Sequence, residues 1–76
     1  MARGRFHLTF PEAMIDQPVI HSLVTDFGLV PNIRRANIEE RSAWVIVDLE
    51  GAEDAIARAV SWLASQGVHV DRIEAE

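Results

Sequence analysis

The side chains that could hold a metal ion in this sequence are two histidines and one aspartate. His7 lies in the alternating segment RFHLTF (5–10), and His69 and Asp71 lie in the segment VHVDRI (68–73). Zinc sites in proteins use three or four such ligands held close together. Two imidazoles with a single carboxylate are more typical of a solvated surface pair, so we expect no metal site and no cofactor.

Two adjacent arginines, Arg34 and Arg35, are the second group with binding chemistry. They lie in the segment VPNIRRANIEE (30–40), just before a predicted hairpin tip. A two-residue loop would place Arg35 opposite Asp48, and a three-residue loop would place Arg34 there instead. Both registers predict a cross-strand ion pair worth roughly a few tenths of a kcal/mol on a solvated face.

The same segment has an irregular apolar pattern. Ile33 and Ile38 are an odd number of residues apart, so they would point to opposite faces of a regular strand. A β-bulge between them would restore a common face, and bulges often reorient side chains next to binding sites. The pattern indicates either a bulged strand or a strand that uses both of its faces.

Neither catalysis nor nucleic-acid binding is indicated. Enzymes of the acylphosphatase type share the β-α-β-β-α-β order of elements that this sequence predicts. They carry an arginine in a phosphate-binding loop after the first strand. Here that connection, PEAMI (11–15), is acidic and has neither glycine nor arginine. Trp44 is the one aromatic placed to stack on a base, and the net charge of −5 opposes phosphate binding.

The elements that position these side chains follow from the periodicity. RFHLTF alternates as a half-buried strand, and VPNIRRANIEE, AWVIVDL (43–49) and VHVDRI are predicted as three further strands. Asp16 is the predicted N-cap of a first helix, with Pro18 in its first turn and Gly28 at its end. A second helix starts among acidic residues and ends at Gly67. The predicted apolar stripes are Ile20, Leu23, Val24 and Phe27 in the first helix and Ala52, Ile56, Ala59, Val60 and Leu63 in the second.

The order β-α-β-β-α-β predicts an α+β fold, the ferredoxin-like two-layer sandwich, in one domain spanning residues 1–76. Its antiparallel four-stranded sheet has both helices on one face. Trp44 and Ile46 then lie on the open face, where an exposed apolar pair indicates a partner surface. This favours a homodimer through the open face or an edge strand. The alternative is an N-terminal arm folded over the pair.

Composition sets limits on location and partners. The chain has no cysteine, no apolar run long enough for a signal peptide or a membrane span, and a net charge of −5. We expect a cytoplasmic protein without direct membrane insertion. A chain of 76 residues buries only a modest core, so a partner would stabilise it considerably.

The sequence resembles the NIL domain over nearly its whole length. The resemblance rests on FHLTF (6–10), DQPVI (16–20), PNI (31–33) with ANIEE (36–40), WVIVDLEG (44–51) and AVSWLASQGVHVDRIE (59–74). It implies an ACT-like regulatory module that pairs into dimers, found at the C-terminus of the ATP-binding subunits of bacterial methionine importers. In those importers, methionine binds near the domain interface.

Carried over residue by residue, the resemblance implies ligand-binding positions on the second strand. The motif asparagine falls on Asn32, whose amide suits the ammonium and carboxylate groups of an amino acid; a turn residue after Pro31 is the alternative. A later pocket position falls on Ile38, which suits a thioether side chain. Arg34 stands where the family has leucine, and its guanidinium could pair with a ligand carboxylate or with Asp48.

These observations predict a non-enzymatic regulatory domain that senses a small, methionine-like amino acid and regulates an ABC transporter or another partner protein. The predicted dimer interface comprises Ile33, Ala36, Trp44 and Ile46. The alternative is a dimerisation or protein-interaction module with no small-molecule ligand.

Overall fold

The computed structural model describes residues 1–73, which form a four-stranded antiparallel sheet with two helices on one face. The strand order is β2-β3-β1-β4. The predicted α+β, ferredoxin-like fold is confirmed. In chain order the elements are β1 (Ala2–Phe10), a short 3-10 helix (Glu12–Met14), α1 (Val19–Thr25), β2 (Val30–Ile38), β3 (Ala43–Gly51), α2 (Glu53–Ser65) and β4 (His69–Ile73).

The core lies between the sheet and the helices. Alternate residues of the two central strands point into it, because successive side chains of a strand face opposite sides. The sheet contributes Phe6, Leu8, Phe10, Val45, Val47 and Leu49, and the helices contribute Val19, Leu23, Ala55, Ile56, Ala59 and Leu63. Among residues 1–73, no helix lies over the opposite face of the sheet.

β1 is longer than its alternating segment predicts. It begins at Ala2, which pairs with Gly51 at the end of β3. The N-terminal residues therefore extend the sheet, and the alternative in which they fold over Trp44 and Ile46 is wrong. This arrangement requires glycine at position 4, because a Cβ there would come within 2.8 Å of the Phe6 ring.

The first helix begins later than predicted. Its N-cap is Pro18, and the Asp16 side chain makes no capping bond. Asp16 lies instead in a stretch of turns. The 3-10 helix precedes it, and after it a hydrogen bond runs from the Val19 N–H to the Gln17 carbonyl. Val24, a predicted stripe residue, is 46% exposed. The predicted end is confirmed, because Gly28 has a φ of 66°.

The second helix has the predicted acidic start, with Glu53 and Asp54 in its first turn. Ala52 is its exposed N-cap rather than a member of the buried stripe, and Ala55 is buried instead. Gly67, with a φ of 87°, ends the helix as predicted. Within residues 1–73, neither helix is long and apolar enough to cross a membrane.

Candidate functional site

β2 forms one edge of the sheet and is exposed along nearly its whole length. It pairs with β3 on one side, and all of its residues except Pro31 are solvent-exposed. The outer backbone groups of an edge strand are available to a second chain. All of the predicted ligand-binding residues lie on this strand.

A β-bulge at Arg34 interrupts the pairing of β2 with β3. Ile33 and Arg35 face consecutive residues of β3, so Arg34 is the extra residue. The bulge puts Ile33 and Ile38 on the same side of the sheet, the one that faces the helices. One of the two arrangements that the sequence pattern indicated, the bulged strand, is therefore confirmed.

The loop between β2 and β3 is longer than either loop considered from the sequence. It contains four residues, 39–42, and this register places Asn32 directly opposite Asp48. The predicted pairing of Arg34 or Arg35 with Asp48 in the ladder is wrong. The bulge nevertheless brings Nη1 of Arg34 within 3.8 Å of Oδ2 of Asp48.

Asp48 is a buried carboxylate on the open face of the sheet, and Arg5 is its main partner. Arg5 lies directly opposite it on β1 and donates hydrogen bonds from Nε to Oδ1 at 2.7 Å and from Nη2 to Oδ2 at 3.2 Å. Their side chains are 15% and 8% exposed. The hydrogen bonds from Arg5 hold the pKa of Asp48 below its ordinary value, because they outweigh the opposite effect of burial.

Asn32 and Arg34 lie beside this ion pair. Within the described residues, the Asn32 amide makes no side-chain hydrogen bond. The Arg34 side chain is 50% exposed, and its 3.8 Å contact with Asp48 is too long for a hydrogen bond. The two side chains border a polar depression of about 330 Å³, lined also by Arg3, Val30, Asp48 and Glu50.

A second, apolar cavity lies on the other side of the sheet. It has a volume of about 210 Å³, below the roughly 300 Å³ at which ligand pockets usually begin. Its size suits one short aliphatic or thioether side chain. It lies between the sheet and the start of α1, and its lining includes Phe10, Met14, Val19, Ile20, Ile38 and Val45.

The three predicted ligand-binding residues are thus divided between two surfaces. Asn32 and Arg34 line the polar depression on the open face, and Ile38 lines the apolar cavity on the helix-facing side. A ligand that touches all three has to reach around the exposed edge of β2, where a second chain could also contribute.

The predicted interface residues are divided in the same way. Ile33 and Ala36 lie on the helix-facing side of β2, and both are exposed. Trp44 and Ile46 lie on the open face as predicted, but both are half-buried. Trp44 stacks on His7, with ring centroids 5.5 Å apart, so less of its ring is available than the sequence pattern indicates.

The remaining candidate ligands lie on β4. His69 Nε2 is 3.2 Å from Oδ2 of Asp71. Across residues 1–73, no three histidine, aspartate or glutamate side chains form a group that could hold a metal ion.

A family model described as the NIL domain matches residues 5–72. The chain belongs to the NIL domain family. A curated relative, the L-aspartate semialdehyde sulfurtransferase iron-sulfur subunit of Methanocaldococcus jannaschii, is 32% identical to it over 65 residues. The match covers 86% of this chain and 50% of the relative, so this NIL domain spans about half of that protein. The chain has no cysteine, so its residues do not fit a thiolate-bound iron-sulfur cluster.

Solved structures share the fold of this NIL domain. The C-terminal domain of an ABC transporter ATP-binding protein from Enterococcus faecalis superposes with a TM-score of 0.83 at 22% identity, covering 96% of this chain and 86% of that one. Prephenate dehydratase from Streptococcus mutans superposes with a TM-score of 0.63 at 19% identity, covering 92% of this chain and 40% of that one. At these identities the likeness establishes the fold alone.

Arg5 is the main partner of Asp48, and the sequence did not predict this pairing. The alternation of RFHLTF does place Arg5 on the open face. Its position along β3, however, depends on the register of two strands that are far apart in the chain. The sequence does contain a signal, because Arg5 lies near the start of β1 and Asp48 near the end of β3. Antiparallel pairing brings those two ends together.

Proposed function

We propose that this NIL domain is a non-catalytic regulatory module that binds a small amino acid at the edge strand β2. The observation that carries the proposal is that the side chains of Asn32 and Arg34 line the polar depression and make no hydrogen bond within residues 1–73. An amide and a guanidinium together suit the carboxylate and ammonium groups of an amino acid. The family resemblance makes methionine the first compound to test, and Ile38 with its apolar cavity is the surface for the ligand side chain.

The proposal includes a homodimer and a regulated partner. Ile33 and Ile38 are 50% and 69% exposed on the same side of the edge strand, and such aliphatic surface is usually covered by a partner. The fold match to the C-terminal domain of an ABC transporter ATP-binding protein supports regulation of a transporter. Such a role is cytoplasmic.

The test is the melting temperature of the protein with and without millimolar L-methionine, with the other proteinogenic L-amino acids as controls. A ligand at a hundred times its dissociation constant stabilises the folded state by about 2.7 kcal/mol. In a domain of this size, about 1 kcal/mol shifts the melting temperature by roughly 4–8 °C. We expect a clear rise with at least one amino acid.

A pair of asparagine variants locates the site. We expect Asn32→Ala to abolish the ligand-dependent rise and Asn37→Ala to retain it. Asn37 is a matched control because it is exposed on the same strand and bonds to Glu39 rather than facing the depression. If no amino acid raises the melting temperature, the proposal is wrong.

A dimerisation module without a small ligand is the second candidate function. The exposed side chains of Ile33 and Ile38 favour it, because they suit a protein partner whether or not a metabolite binds. Both candidates predict the same fold and the same dimer, and the ligand titration separates them.

A further inference from the structure

A further cavity, which we call the β4 groove, lies between α2 and the strands β1 and β4 on the helix-facing side of the sheet. It has a volume of about 450 Å³, within the roughly 300–1,000 Å³ that is usual for small-molecule sites. Most of its lining is apolar and includes Phe6, Ile56, Val60 and Val70. None of its lining residues borders the polar depression or the apolar cavity beside Ile38, so it is a separate site.

Arg72 holds a positive charge over the apolar floor of this groove. Its guanidinium carbon is 5.3 Å from the centroid of the Phe6 ring, a cation–π contact. Gly4 leaves room for the contact, because a Cβ at position 4 would come within 3.0 Å of Nη2 of Arg72. Within residues 1–73 the Arg72 side chain makes no hydrogen bond and no ion pair. Its N–H donors therefore have no acceptor oxygen there, and they can bind a carboxylate.

Glu53 brings the opposite charge to the same groove. It is exposed in the first turn of α2, and its carboxylate has no hydrogen-bond or ion-pair partner in the described part of the chain. Arg58, one turn further along α2, pairs with Asp54 instead, at 3.5 Å. The two charged residues known to line the groove, Glu53 and Arg72, thus sum to zero and are not paired with each other. A ligand that matches both of them carries one charge of each sign.

The two charges enter the groove at different levels of β1. Nη2 of Arg72 reaches the level of Gly4. Glu53 starts α2 two residues after Gly51, which pairs with Ala2. Ala2 and Gly4 are two residues apart on the strand, a distance of about 7 Å. The ammonium and carboxylate of a free α-amino acid share one carbon and do not span this distance, whereas an extended chain of two residues is about that long.

We infer that the β4 groove binds a zwitterionic dipeptide with aliphatic side chains. Its C-terminal carboxylate binds Arg72, its N-terminal ammonium binds Glu53, and its side chains lie on the apolar floor, where their burial stabilises the complex. This site is separate from the amino-acid site proposed at β2, and the inference does not depend on that proposed function.

The test measures the affinity of L-valyl-L-valine by isothermal titration calorimetry and compares it with that of four analogues. L-Valyl-L-valinamide lacks the carboxylate, N-acetyl-L-valyl-L-valine lacks the ammonium, glycylglycine lacks the side chains, and L-valine lacks the length. We expect the dipeptide to bind about tenfold or more tightly than each analogue, because each analogue loses a charge-assisted hydrogen bond or buried apolar area. Raising the salt concentration should reduce its advantage over the two blocked dipeptides.

Two charge-removing variants assign the ends of the dipeptide. We expect Arg72→Gln to weaken binding of the dipeptide about tenfold and to leave that of the amide unchanged, because the amide has no carboxylate for Arg72 to bind. Glu53→Gln should weaken the dipeptide and leave its N-acetyl form unchanged. Arg58→Gln and Glu40→Gln are the matched controls, since both residues are exposed and neither lines the groove. Circular dichroism confirms that each variant folds.

Each other outcome overturns the inference. If L-valine or a blocked dipeptide binds as tightly as L-valyl-L-valine, the ligand class is wrong. If Arg72→Gln weakens the dipeptide and its amide equally, the variant acts through the shape of the groove and not through the carboxylate. If Asn32→Ala abolishes dipeptide binding while Arg72→Gln retains it, the dipeptide binds at β2. If the dipeptide does not bind, the inference fails and the amino-acid site at β2 keeps its own test.

Discussion

Asp48 is the most constrained polar side chain of the open face. It is only 6% exposed although neither helix of the described chain covers this side of the sheet, because the arginine side chains around it take the place of a covering layer. A buried carboxylate is tolerated when it is paired and hydrogen-bonded, and Arg5 meets both conditions. The pair also fixes the position of the carboxylate beside Asn32 and Arg34, and so shapes the polar depression.

Replacing Asp48 by asparagine should destabilise the fold and reduce its sensitivity to acid. We expect a loss of about 2 kcal/mol at neutral pH, between the roughly 0–1 kcal/mol of an exposed pair and the 3–5 kcal/mol of breaking a fully buried one. Because the folded pKa of Asp48 is lowered, its contribution is present above the unfolded value of 3.8 and is lost as the pH falls towards the folded pKa.

Urea denaturation between neutral pH and pH 3 measures both effects. The difference in unfolding free energy between the wild type and Asp48→Asn should shrink as the solution becomes acidic. Asp16→Asn is the matched control, because Asp16 is exposed and should change little at any pH. A difference that stays constant across the range would show that the ionised carboxylate does not carry the effect.

For single residues, the sequence predicts which face of the sheet a side chain lies on better than it predicts which side chain it contacts. Alternation places Trp44, Ile46 and Asp48 on the open face, and the structure agrees. The partner of Asp48 depends on loop length and on pairing between strands distant in the chain, so Arg5 was missed. The half-burial of Trp44 was missed for a related reason, since the stacking with His7 arises from the pairing of β1 with β3.

The elements show why β2 keeps its irregular pattern. A regular strand would have placed either Ile33 or Ile38 on the polar open face, whereas the bulge puts both on the helix-facing side. The odd spacing of the isoleucines indicated this from the sequence. The start of α1 could not be predicted in the same way. Asp16 is a residue type that often caps helices, but here it lies among turns that precede the helix.

Deleting Arg34 should leave the register of β2 unchanged. Ile33 and Arg35 already face consecutive residues of β3, so the deletion turns the bulge into a regular ladder. We expect a loss of less than about 1 kcal/mol, because the ion pair removed with Arg34 is half exposed. Urea denaturation measures the loss, and cross-strand nuclear Overhauser effects check the register.

The control for this deletion is removal of Ala36 from the regular part of β2. That change also leaves eight residues of β2 to face eight of β3, but it moves Arg34 opposite Ile46 and Arg35 to the helix-facing position opposite Val45. It should therefore cost more stability than the deletion of Arg34. If the Arg34 deletion proves the more harmful of the two, the bulge has a structural role beyond accommodating the extra residue.

At the scale of the whole molecule, β2 is an edge strand on which two isoleucines, Ile33 and Ile38, are exposed. The family and the overall fold could be predicted because hydrophobic period and element order agree along the chain. The shape of a ligand site at β2 could not be predicted. Asn32 and Ile38 lie on opposite faces of the sheet because of the bulge between them, and the sequence signals that bulge only indirectly, through the spacing of the isoleucines. A second chain at this edge would cover Ile33 and Ile38 in one step.

If β2 is the dimer edge, a charge placed on its apolar side should separate the subunits without unfolding them. We expect Ile33→Glu to raise the dissociation constant of the dimer by about tenfold or more, because a carboxylate would be buried without a partner. Val24→Glu is the matched control, since Val24 is 46% exposed on α1. Sedimentation equilibrium measures the association, and circular dichroism confirms that both variants fold.

The wild type gives the independent check on this prediction. Its melting temperature should rise with protein concentration, because association stabilises the folded state by mass action, and Ile33→Glu should lose that dependence. Ala36→Arg, at an exposed position on the same side of β2, should act in the same direction. A wild type that remains monomeric at millimolar concentration, or an Ile33→Glu variant that associates as tightly as Val24→Glu, would place the interface elsewhere or exclude it.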